Sequence, residues 1–173
     1  LISGTKHFFR RLRRHFARQQ CRVYLFDLDS QPLPDVTSIS PVGFSYDAVC
    51  VFRKLHRSPH EFGIGSRELH QFRRRISEGE ICFSAWAEGE LAFYGWIQFR
   101  NRRPAPFTRI PLSPHHAFIY RCVTRREFRG RKIYPAALAF ALRELKARGI
   151  HKVFIDHAVE NISSRRGIER IGA

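Results

Sequence analysis

Residues 117–149 read AFIYRCVTRREFRGRKIYPAALAFALRELKARG, and the fold follows from how this stretch divides. Residues 117–124 are rich in aromatic and β-branched side chains and too few for a helix, so they predict a buried strand. From Tyr134 the period changes: Leu138, Leu142 and Leu145 recur at helical spacing, Pro135 suits a first helical turn, and Gly149 suits a C-terminal stop. The stretch is therefore strand, basic loop, helix. A helix N-terminus presents unpaired N–H groups and the positive end of the macrodipole. With Arg126, Arg129, Arg131 and Lys132 beside it, the join is an anion site suited to a phosphate or diphosphate.

A length of 173 residues suits one domain, and 43% hydrophobic with 27% charged residues is an ordinary globular balance. The formal charge of +16 calls for an acidic partner: cofactor phosphates, nucleic acid, anionic lipid or an acidic substrate. Cys21, Cys50, Cys82 and Cys122 are widely spaced without a C-x-x-C pair, which predicts free thiols in a reducing cytoplasm and no structural zinc.

Upstream, residues 6–18 put Phe8, Phe9, Leu12 and Phe16 on one helical face and arginines on the other. Such a helix packs on its own domain, lies on the inner, anionic face of a membrane, or sits on nucleic acid. Residues 21–29 predict a strand, and the prolines of 31–41 a connection. A helix is expected from Asp47 to Ser58, with Val51, Phe52 and Leu55 inward. A second starts with Ser66 as its N-cap, with Leu69, Phe72 and Ile76 inward and Gly79 as its stop. Residues 81–87 and 91–99 alternate around Glu88-Gly89-Glu90 as an antiparallel hairpin, in which Trp86, Tyr94 and Trp96 read as packing. Residues 101–114 form a long loop, and 152–159 a last short strand.

Arg129-Gly130-Arg131-Lys132-Ile133-Tyr134 resembles the diphosphate loop, Q/R-x-x-G-x-G/A, of the GCN5-related N-acetyltransferase (GNAT) family, with Lys132 and Tyr134 where that pattern prefers small residues. Asn161, Ser164 and the following Gly172 resemble its second signature. The resemblance implies an α/β fold with a mixed sheet over residues 21–173, and the family's core does not require the basic amphipathic helix read in residues 1–20. It implies acetyl-CoA as the acyl donor. It also implies that Cys122, Val123, Thr124, Arg129, Gly130, Arg131, Lys132, Ile133, Tyr134, Asn161 and Ser164 contact that donor, and that residues 62–65 help shape the acceptor site. Two departures stand out. Ile168 occupies the place where the family often has a tyrosine that protonates the leaving thiolate. The sequence also stops where the family continues into two more strands, so the last two strands are missing, one sheet edge is expected bare, and a second copy in a homodimer or a longer parent chain is expected to supply them.

Acetyl transfer needs the thioester oriented, the amine deprotonated and the oxyanion stabilised. The candidate base is His157, whose ordinary pKa is about 6.5, and the candidate acid is Tyr120. No metal ligand set is expected. Two functions follow: an N-acyltransferase acting on a small amine, an amino sugar or an aminoacyl-tRNA-like acceptor, or a non-catalytic basic module that binds nucleic acid or an anionic membrane.

Overall fold

The computed structural model describes residues 21–30, 32–33, 42–99 and 111–172. The basic helix expected at residues 6–18, most of the connection at 31–41 and much of the loop at 101–114 lie outside the described residues. The chain runs β1 (Cys21–Asp27), β2 (Val42–Ser45), α1 (Ala48–Arg57), a 3-10 turn (Pro59–Phe62), α2 (Ser66–Ser77), β3 (Ile81–Ala87) and β4 (Glu90–Gln98). It continues through β5 (His116–Thr124), a second 3-10 turn (Arg126–Phe128), α3 (Ile133–Ala147), β6 (Lys152–Ala158) and α4 (Ile162–Glu169). The strands form one six-stranded sheet in the order β1-β6-β5-β4-β3-β2. All neighbours are antiparallel except β5 and β6, whose parallel pairing requires the crossover that α3 provides.

The sheet separates two apolar layers. On one face, α3 buries Ala136, Ala137, Leu138, Ala139, Ala141, Leu142 and Leu145. A helix so apolar around its circumference belongs at the centre of a domain, and its alanines allow close approach to the sheet. Ile168 of α4 joins this layer fully buried, as core rather than as a reacting group. On the other face, Val51 and Leu55 of α1 and Phe72 of α2 pack on Cys82, Leu91, Tyr94 and Trp96. Each side chain of this size contributes about 1.5–3 kcal/mol by burial.

The edge expected to be bare after the last strand, that of β6, is paired. β1 pairs with β6 from Cys21↔Ala158 to Asp27↔Lys152. The outer edge of β6 is thus covered by a strand that precedes α1, and Phe26 and Leu28 carry that strand into the core. β2 was not legible in the sequence. It has four residues, including a glycine, too few to show alternation.

α2 also differs from its reading. Gly65 is the cap, Ser66 is the first helical residue, and Ile76 is 41% exposed. The buried positions are instead Glu68, Phe72 and Arg75, because the two charges satisfy each other. Arg75 Nη1 donates to Glu68 Oε1 at 2.9 Å and Nη2 to Gln71 Oε1 at 3.2 Å, while Arg121 from β5 takes the second Glu68 oxygen. The Arg75 guanidinium also lies 5.2 Å from the Trp96 ring centroid and 5.5 Å from that of Tyr120. No helix among the described residues is long and apolar enough to cross a membrane.

Candidate active site

β5 and β6 pair only from His116↔Lys152 to Ile119↔Ile155, and then part. The cause is local. Tyr94 of β4 faces Val123 and Trp96 faces Tyr120, so β5 carries one extra residue between them, with Arg121 held at a left-handed φ of 52°. A bulge of this kind bends its strand and raises the twist. Gly95 opposite gives the space, since a Cβ there would lie 2.7 Å from the Phe83 ring and 3.0 Å from Cys122 Sγ. Beyond Ile119, main-chain groups on the inner edge of β5 therefore face an opening rather than a strand.

An open cavity of about 530 Å³ lies at this opening. Its walls are the end of β5 (Cys122, Val123, Thr124), the loop and first turn of α3 (Arg129, Gly130, Lys132, Ile133, Tyr134) and one face of α4 that includes Asn161 and Ser164. Of the four cations expected at the anionic ligand, Arg126 and Arg131 do not line it. The Arg131 guanidinium Nη1 pairs with Glu88 Oε1 at 2.6 Å and lies over Phe128, turned toward the β3–β4 hairpin. Arg125 at the start of the loop is likewise neutralised, by Glu90 at 3.0 Å and Glu61 at 3.3 Å. Arg129, whose Nε donates to the Thr124 carbonyl at 3.3 Å, and Lys132 line the cavity and form no ion pair among the described residues.

The loop geometry explains the small-residue pattern that this sequence departs from. Gly130 has φ 79° and Lys132 has φ 59°, so a lysine holds the left-handed backbone where the pattern prefers glycine. Lys132 is the cap of α3, and helix geometry leaves the amides of Ile133 and Tyr134 without intrahelical acceptors; Pro135 has no N–H to offer. Tyr134 is accommodated by a second glycine. A Cβ on Gly167 would lie 2.4 Å from Tyr134 Cδ1, and the Tyr134 hydroxyl sits 3.1 Å from Ser164 Oγ. Ser164 is itself fixed by α4, because Asn161 Oδ1 caps that helix by accepting from Ser164 N at 3.0 Å.

Titration follows burial. Desolvation first, and then the Asp156 charge, push the Cys122 thiol well up, so it stays protonated rather than nucleophilic. Desolvation likewise pushes the Tyr134 hydroxyl up and keeps it neutral.

The two candidate proton carriers, His157 and Tyr120, do not line the cavity. Alternation along β6 puts His157 on the α3 face with Val153 and Ile155. There it is 5% exposed, with Nδ1 2.7 Å from the Ala158 carbonyl, its ring stacked on Tyr24 at 5.6 Å, and Nε2 without a partner among the described residues. Tyr120 lies on the opposite face and donates to the Glu80 carboxylate. Burial pushes the Tyr120 hydroxyl up, and the hydrogen bond to Glu80 adds to this. Asp156, one step past the last β5–β6 pair, shares the Tyr120 face. Its carboxyl is raised by burial, and it forms no ion pair among the described residues. Sequence reading missed Asp156, Arg166 and Arg170. The signals were strand alternation for the first and i, i+4 spacing after Asn161 for the other two.

The acetyltransferase (GNAT) family model matches residues 50–173. The chain belongs to this family. No curated protein matches it in sequence to a significant degree. Among solved structures, it is similar to a GNAT-family acetyltransferase from Colwellia psychrerythraea, with 14% identity and a TM-score of 0.62, over 88% of this chain and 51% of that one. AAC(6')-Iy in complex with the bisubstrate analogue CoA-S-monomethyl-acetylneamine matches with 15% identity and a TM-score of 0.56, over 77% of this chain and 90% of that one. yncA from Salmonella typhimurium, with its cofactor acetyl-CoA, matches with 12% identity and a TM-score of 0.52, over 77% and 79%. At these identities the likeness is one of fold, and this GNAT chain spans about half the length of the Colwellia protein.

Proposed function

We propose that this domain transfers an acetyl group from acetyl-CoA to a primary amine by direct attack. One observation carries the reading: a cavity lined by cations, with no acidic residue in its lining, ends where two strands of the sheet part. Arg129, Lys132 and the free amides of Ile133 and Tyr134 hold the diphosphate, and Asn161 and Ser164 receive the pantetheine arm. The freed inner edge of residues 122–124 orients the thioester, a task for backbone atoms that leaves Cys122 a packed thiol.

The amine approaches from the opposite face of the sheet, where Tyr120, Glu80 and Asp156 lie. Carboxylates there favour the cationic acceptor and hold it at the gap. We assign proton removal to Asp156 in place of His157, whose ring is enclosed on the other face. Asp156 first takes a proton from the ammonium and releases it to solvent; as the N–C bond forms and the C–S bond breaks, the second amine proton passes to Asp156 and the departing thiolate is reprotonated by the proton given to solvent. Tyr120, tied to Glu80, positions the amine. The acceptor is a small amine, an amino sugar or an aminoacyl-tRNA-like molecule, and the free thiols suit a reducing cytoplasm.

Calorimetry with acetyl-CoA tests the reading. Saturable one-site binding is expected, weakened at least about tenfold by Arg129→Glu with Lys132→Glu. Binding of RNA or anionic vesicles without any affinity for acetyl-CoA would replace this reading with that of a non-catalytic basic module.

A further inference from the structure

The cavity has a second cationic wall. Arg166 and Arg170, four residues apart and therefore on one side of α4, both line it. Neither forms an ion pair among the described residues. Arg165, by contrast, is engaged with Glu169, its Nε 2.8 Å from Oε1. At about 1.5 Å of rise per residue, Arg170 lies about 9 Å along the α4 axis from Ser164, the residue that touches Tyr134 at the head of α3. The cavity therefore has two basic walls, one built by the loop and α3 and one by α4.

Resting on the acetyl-CoA reading above, we infer that Arg166 and Arg170 bind the ribose 3′-phosphate of coenzyme A and make the site selective for CoA thioesters over those that lack this phosphate. Charge matches at both ends. The diphosphate meets Arg129 and Lys132, and the more strongly charged 3′-phosphate, separated from it by the ribose, meets two guanidinium groups able to grip it in paired hydrogen bonds. A carrier bearing only phosphopantetheine would leave Arg166 and Arg170 unused.

The test is calorimetric titration of the full chain with CoA and with 3′-dephospho-CoA at one fixed salt concentration. The parent is expected to prefer CoA by about 10- to 100-fold, the range for one or two charge-assisted hydrogen bonds. Arg166→Ala with Arg170→Ala should cut that preference below about threefold by weakening CoA alone, leaving 3′-dephospho-CoA where it was. Arg165→Ala, on the far side of the helix, should keep the full preference. Equal affinity of the parent for both ligands, or a preference that survives the double substitution, would overturn the assignment while leaving the acetyl-CoA reading intact. Failure of the parent to bind either ligand would overturn both.

Discussion

Gly167→Ala isolates one contact at the cavity wall. Because the added methyl would lie 2.4 Å from Cδ1 and 2.7 Å from Cε1 of Tyr134, the ring must move. It has little room, being packed 6.0 Å from the Phe93 ring and joined to Ser164 by a hydroxyl contact of 3.1 Å. Overpacking of this kind costs about 2 kcal/mol and the lost hydrogen bond about 1. Alanine in place of glycine within a helix returns about 1. The net loss is about 2 kcal/mol, a fall in Tm of about 4–8 °C for a chain of this size. Tyr134→Ala alone leaves a void and should cost about 3 kcal/mol. Added to that background, Gly167→Ala has nothing to strike and should stabilise by about 1 kcal/mol. The substitution thus reverses sign between the two backgrounds, which equilibrium urea unfolding of the four proteins measures directly. If Gly167→Ala has the same effect in both, within about 0.5 kcal/mol, the ring does not rest on Gly167 and the account of this wall is wrong.

Further outcomes follow from other groups. Glu68→Ala leaves the Arg75 charge buried beside an unfilled site and should cost about 3 kcal/mol, whereas Glu68→Met with Arg75→Met should recover most of that loss; thermal unfolding decides. Lys132→Gly relieves a left-handed backbone that costs a side chain about 1–2 kcal/mol, so Tm should hold or rise while affinity for acetyl-CoA falls, and a loss of both would refute the separation of backbone from charge. Burial raises the Glu80 carboxyl in the folded state, against the smaller lowering effect of the Tyr120 hydrogen bond. The folded protein therefore binds this proton more tightly than the unfolded chain. The contribution of Glu80 is most favourable at low pH and declines as pH rises from the ordinary carboxylate value through the raised one. Glu80→Gln should flatten that decline in urea unfolding followed across pH, and an unchanged slope would exclude Glu80 as its source. Asp156→Asn should lower kcat with the amine acceptor by at least about 100-fold while leaving acetyl-CoA affinity within about twofold, and equal loss of both would make Asp156 structural.

Where local physics dominates, the sequence was legible. The leucine spacing of α3, the helix beginning at Asp47 and the turn of the β3–β4 hairpin each depend on near neighbours. What escaped depends on distant partners. Ile76 looked inward by period, but Glu68 and Arg75 took the buried side because Trp96, Tyr120 and Arg121, remote in sequence, were there to satisfy the charge. β1 read correctly as a strand, yet nothing in its residues named β6 as its neighbour. Arg131 had the composition of a phosphate ligand, but Glu88 across the sheet claimed it. Gly95 was a missed cue, since a glycine inside a strand marks a bulge, and the bulge here shapes the site.

The short pairing between β5 and β6 has a mechanical consequence. Four rungs hold the two strands together at one end, while β4 on one side and β1 on the other anchor each strand independently. Spreading the free ends unzips nothing, because the bonds that would resist were never made there. The free ends of β5 and β6 can therefore part further without breaking any β5–β6 backbone bond, and neither apolar layer has to unpack for it.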